Sequence, residues 1–132
     1  MKLTITNDQL ITLCESLHRL ETTTGEAGWA IAQTISNIDK AYEAIMRYRE
    51  KVLQKYGEAT EDGRGYVIKD EKKRAQVIKE LNTVLLKQVE IDITQVPYTQ
   101  YSREEIKGPA TQAADYRIFE QYMVEPDKEE LS

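Results

Sequence analysis

The chain has one cysteine, one histidine, one tryptophan, one phenylalanine and three prolines in 132 residues. A lone Cys14 cannot close an intramolecular disulfide, so disulfide scaffolds and cysteine-based zinc sites are excluded. A lone His18 excludes any site that needs two imidazoles. No apolar run approaches the roughly 18 residues of a membrane span. The opening Met1-Lys2-Leu3-Thr4-Ile5 lacks the basic patch and apolar core of a signal peptide. These absences lead to the expectation of a soluble cytosolic protein without membrane association. The length suits a single domain, read as residues 1–124, followed by an acidic, disordered tail over 125–132. A domain of this size buries about two-thirds of its unfolded surface and needs no disulfide or metal to hold it.

What is present is charge and tyrosine. The net charge is −5, unevenly placed. Residues 1–56 carry seven basic and seven acidic side chains, and residues 57–88 are net +1. Residues 89–132 carry four basic and ten acidic side chains, so all the excess acid lies in the last third. A nucleic-acid binder needs a basic face, and the chain as a whole has none. The run Lys72-Lys73-Arg74 follows Asp70 and Glu71 and reads as a solvated helix face. Of eight tyrosines, Tyr98, Tyr101, Tyr116 and Tyr122 fall in the acidic third, among Glu104, Glu105, Asp115 and Glu120. Tyrosine offers contact area with a polar handle and is enriched at interfaces. Those eight residues are the candidate surface for a basic partner. The alternative, that the tyrosines only cover a long helix, stays open.

Periodicity yields the architecture. Leu3 and Ile5 alternate with polar neighbours as a short strand. Thr6-Asn7-Asp8-Gln9 has capping-box spacing for a first helix, whose apolar stripe is Leu10, Leu13, Cys14, Leu17 and Leu20. That helix should stop near Glu21, before Thr22-Thr23-Thr24-Gly25. A second helix is expected from about Glu26 to Tyr56. Its seam is Ile31, Ile35, Ile38, Tyr42, Ile45, Arg49 and Val52, in alternating steps of four and three. Only Arg49 interrupts it, and is expected to snorkel or pair with a carboxylate. Gly57 is placed to end the helix as a left-handed cap. Asp62-Gly63 reads as a turn, Tyr66-Val67-Ile68 as a short strand and Asp70 as the cap of a third helix reaching Lys87. Val89-Glu90-Ile91-Asp92-Ile93 is the clearest strand and should pair with Leu3 and Ile5 or with Tyr66-Val67-Ile68. Ser102-Arg103-Glu104-Glu105 reads as a capping box, and a last helix runs from about Ala110 to Tyr122. The expected class is α+β, mostly α-helical, with the long helix in a helical hairpin and a small two- or three-stranded sheet.

No motif carries chemistry. The loop Glu58–Gly65 has the look of a calcium loop, but if Gly63 is the turn glycine the bidentate acid falls on Lys69. Gly63-Arg64-Gly65 lacks the Lys-Ser/Thr of a phosphate loop. Cys14 and His18 lie four apart on one helix and could form a thiolate–imidazole nucleophile. A core cysteine beside a boundary histidine is the preferred reading. No catalytic residue, metal site or cofactor is expected, and the chain is read as a non-enzyme.

Three segments carry a resemblance: Ala41–Gly57 (AYEAIMRYREKVLQKYG), the turn EDGRGYVIKDE from Glu61, and ELNTVLLKQVEIDI from Glu80. The chain resembles a family of small uncharacterised proteins encoded by tailed phages and prophages of Gram-positive bacteria. It carries Thr22–Trp29 where that family has a basic-proline stretch. The resemblance supplies no catalytic residues. It implies a viral accessory protein in the cytoplasm of the infected host cell. The expected function is binding to a host or phage protein, as an inhibitor of a host defence protein. Two alternatives stand beside it. One is a phage structural or assembly protein that forms homo-oligomers through the Ile31–Val52 seam. The other is a sponge for a signalling nucleotide, with tyrosines on the base and Arg47, Arg49, Arg64 or Lys73 on the phosphate.

Overall fold

The computed structural model describes residues 1–126. Strand β1 (Lys2–Thr6) runs directly into helix α1 (Asn7–Arg19). The Thr6 side chain accepts from the Gln9 amide and the Gln9 side chain accepts from the Thr6 amide, so the expected capping box is present. The stripe Leu10, Leu13, Cys14, Leu17 and Leu20 is fully buried. Helix α2 (Gly25–Tyr56) follows, 32 residues long. At 1.5 Å per residue it spans about 48 Å.

A hairpin comes next, β2 (Glu58–Ala59) and β3 (Tyr66–Val67), closed by the Asp62-Gly63 turn. Helix α3 (Glu71–Leu85) starts on Asp70, whose side chain accepts from the Lys72 amide. Strand β4 (Gln88–Asp92) returns antiparallel to β1, with Ile91 opposite Leu3 and Val89 opposite Ile5. Two single 3-10 turns, Tyr98–Gln100 and Arg103–Glu105, lead to helix α4 (Ala113–Met123). The fold is α+β. The strands make two separate two-stranded sheets rather than one small sheet, because Tyr66-Val67 pairs with Glu58-Ala59 immediately after α2. A two-residue polar strand has no alternation to reveal it.

Helix α1 packs against α2, α4 and β1, and α3 lies along α2 as the second arm of the hairpin. The α2 seam is used every seventh residue. Ile31, Ile38, Ile45 and Val52 are buried, whereas Ile35 and Tyr42 flank the core half-buried. Arg49 is exposed and makes no ion pair among the described residues, so the expected pairing with a carboxylate is not formed there.

Gly57 is not left-handed: its φ is −104°, and its N–H still donates to Leu53 O at 2.8 Å. Glycine is needed there for close approach instead. A Cβ would sit 2.8 Å from Leu53 O and 3.0 Å from the Tyr66 Cβ of the hairpin. Among the described residues, no helix is long and apolar enough to cross a membrane. Residues 127–132 of the expected tail lie outside the described residues.

Candidate functional site

The acidic third is strapped onto the end of α1. Gly108 passes so close to Arg19 that a Cβ would meet the Arg19 carbonyl oxygen at 1.9 Å. The Thr22 and Thr23 hydroxyls both donate to Lys107 O at 3.1 Å, and the Lys107 amide donates back to Thr23 Oγ1 at 3.0 Å. Val96 forms a parallel bridge to Val124, through Val96 N–H to Met123 O at 2.7 Å and Glu125 N–H to Val96 O at 2.8 Å. These ties hold the ends of the segment, and α4 lies between them.

Asp115 anchors α4. It is fully buried and accepts from Arg19 Nη2 at 2.7 Å, Ser16 Oγ at 2.9 Å and the Gln112 amide at 2.9 Å. Burial alone would push its carboxyl up. The Arg19 guanidinium, the Gln112 amide and the Ser16 hydroxyl together outweigh that and hold it below the ordinary value. The Asp115 charge is therefore matched inside the protein and is not offered to a partner. Phe119, fully buried on the same helix, stacks with Tyr101 at 5.6 Å between ring centroids.

The outer face is organised by Glu120. Its carboxylate accepts from Arg103 Nε at 2.7 Å and from the Tyr101 hydroxyl at 2.8 Å. Arg103 holds the Glu120 carboxyl below its usual range, while burial and Glu120 push the Tyr101 phenol up. Arg103 also lies over the Tyr116 ring at 5.5 Å. A cleft of about 850 Å³ opens beside this group. Gln95, Tyr98, Tyr101, Glu120, Val124 and Glu125 are among the residues that line it, and among the described residues no Lys or Arg does.

Of the eight residues chosen from sequence, the structure thus brings Tyr98, Tyr101 and Glu120 to one cleft. Glu104 and Glu105 are exposed on the second 3-10 turn, outside it. Tyr116 lies beneath Arg103, and Tyr122 packs half-buried against the core. Sequence reasoning missed Arg103, which organises Glu120. Its spacing of 17 residues from that partner crosses a loop and leaves no periodic signal.

Cys14 and His18 do come together, but through Asp39 of α2. His18 Nε2 is 3.1 Å and Cys14 Sγ 3.6 Å from Asp39 Oδ1. Burial and then the Asp39 charge push the Cys14 thiol up to about 12. An activated nucleophile needs the opposite shift. A third feature is a groove of about 480 Å³ lined by Arg49, Arg64 and Tyr66, with Glu50 at its side.

No known protein family, no curated protein and no solved structure matches this chain.

Proposed function

We propose that the chain is a phage-encoded accessory protein that acts by binding, not catalysis, and inhibits a host protein with a basic surface. The observation that carries this reading is the cleft at α4. It combines the exposed Tyr98, the half-buried Tyr101 and the Glu120 and Glu125 carboxylates; among the described residues no Lys or Arg lines it, and Met1, which does, has its ammonium paired with Asp92. Aromatic anchors in a concave patch contribute most of the energy in protein interfaces, and rim charges steer the encounter. Glu104 and Glu105, exposed on the turn that carries Arg103, would act as steering charges.

The test is affinity capture from host lysate with the wild type, Tyr98→Ala and the double reversal Glu104→Lys, Glu105→Lys. One stoichiometric host protein, lost with Tyr98→Ala and weakened by the reversal, supports the reading. Capture unchanged by both variants removes this face from the mechanism. Asp115 is left intact because its charge holds the fold together.

A nucleotide sponge is the second reading, favoured by the Arg49–Arg64–Tyr66 groove. Two guanidinium groups and a ring suit a phosphate and a base. Tight binding must raise the melting temperature. A flat response across a panel of cyclic and linear nucleotides ends this reading.

A further inference from the structure

Cys14, His18 and Asp39 form the one group of three or more metal-ligating side chains that converge among the described residues, with one donor atom of each inside 4.8 Å. Cys14 and His18 project from one face of α1, one turn apart, and Asp39 meets them from α2. We propose that these three residues bind a borderline-soft divalent cation of the zinc class, pinning α1 to α2 with one coordination position left to solvent.

Geometry supports this first. Tetrahedral zinc with bonds of about 2.0–2.3 Å sets its donor atoms roughly 3.3–3.8 Å apart. The Asp39 oxygen already lies 3.1 Å from the imidazole nitrogen and 3.6 Å from the thiol sulfur. All three donor atoms lie within 4.8 Å of one another, so side-chain rotation of the exposed His18 and Asp39 is what must draw them to that spacing. The donors are thiolate, imidazole and carboxylate, a mixture that suits zinc rather than calcium or magnesium. Cys14 is buried, whereas the His18 and Asp39 side chains are each 42% exposed, so the cation has a route in from solvent.

The second support comes from the far side of the ring. His18 Nδ1 faces Glu21 Oε2 at 3.4 Å. Metal-bound histidines commonly donate their other ring N–H to a carboxylate, which orients the ring and fixes the tautomer. With the Nε2 lone pair on the metal, the ring proton sits on Nδ1, on the side that faces the Glu21 carboxylate. Coordination replaces the Cys14 S–H bond with a sulfur–metal bond and releases one proton to solvent. An imidazolium between Asp39 and Glu21 would satisfy both carboxylates without any metal, and the experiment separates the two.

The exclusion of zinc drawn from the cysteine count holds for sites built from several thiolates. This set needs only one. Its third donor sits 21 residues beyond His18 on another helix, where spacing could not show it.

The test titrates the full chain, stripped with a chelator, with cobalt(II), followed by zinc(II) as competitor. The expected result is one cobalt per chain with a thiolate-to-cobalt charge-transfer band, displaced by zinc, and a melting temperature that climbs with free zinc. His18→Ala and Asp39→Asn, both at the exposed edge and tolerant of change, should abolish stoichiometric uptake. Cys14→Ser should remove the band. Glu21→Gln should weaken cobalt binding about 10- to 100-fold while leaving the band in place. Two outcomes overturn the proposal. One is the absence of a thiolate band at stoichiometric cobalt. The other is uptake that persists unchanged in both His18→Ala and Asp39→Asn, the mark of an adventitious ion only.

Discussion

The two halves of α2 carry the same heptad seam and are held in different ways. From Ala27 to Ile45 the helix lies against α1 and β4, and Ala27, Ala30, Ile31, Ile38 and Ile45 are all nearly inaccessible. Beyond Ile45 only Val52 is buried on α2 and only Val77 on α3, while Ile78 and Leu86 of the facing arm stand 60% and 71% exposed. Polar ties take over there. The Tyr48 hydroxyl donates to Glu80 O at 3.2 Å, and the Tyr56 hydroxyl to the Glu80 carboxylate at 2.9 Å. Tyr56, and then Lys55, hold that carboxyl below its usual value. One half is a core and the other a zipped arm. A repeating apolar pattern sets which positions face inward, but the depth of burial depends on how many elements lie across them.

Several measurements sharpen this contrast. The largest effect belongs to the buried charge that fastens α4 to α1, at the core end. Asp115→Ala strands the Arg19 guanidinium and should cost roughly 3–5 kcal/mol in denaturant unfolding. The same group shapes the acid limb. Its carboxyl is depressed in the folded state, so its stabilisation is complete above the unfolded value of about 3.9 and is lost as pH falls through the lower folded value. Wild type should therefore lose stability relative to Asp115→Asn below about pH 4. An identical acid limb in the two proteins would mean that Asp115 is not the group titrating.

Next come matched truncations on the seam itself. Ile38→Ala at the core end should cost about 2–5 kcal/mol, because the side chain is fully buried and its removal leaves a cavity. Val52→Ala in the arm should cost about 1.5 kcal/mol, the value of the two buried carbons removed. Equal losses would erase the distinction between the halves. Smaller again is Tyr48→Phe, at about 1 kcal/mol for one hydrogen bond to a partly buried carbonyl. Smallest is Ile78→Ser, expected within about 0.5 kcal/mol of wild type because the side chain is mostly in water. Amide exchange offers an independent check. Amides of α3 should exchange through local opening while those of α1 await global unfolding.

Local signals were legible where neighbouring residues in the chain are also neighbours in space. The Thr6 capping box, the Asp70 cap and the Leu10–Leu20 stripe all follow from spacing, whereas of the two partners open to the Val89–Ile93 strand only the tertiary structure selected Leu3 and Ile5. Gly57 was legible as a helix end but not in its reason, since the hairpin that crowds it is a tertiary contact. The candidate cleft was half legible. Composition pointed to tyrosine and acid in the last third. Only the packing of α4 shows that Asp115 points inward to Arg19 and that Arg103 organises Glu120.

The amino-acid sequence alone thus determined the four helices, the strands other than Glu58–Ala59, the α+β class and the faces that turn inward, because these depend on periodicity and on backbone groups satisfied within a few residues. The tertiary structure decided which carboxylates are internal counter-ions and which are exposed. It also decided that Asp39 meets Cys14 and His18, and that the seam is deep at one end and shallow at the other. Each of these depends on charges and donors brought together from distant positions, where the free energy of an ionised or ligating group is set by its partners and not by its place in the chain.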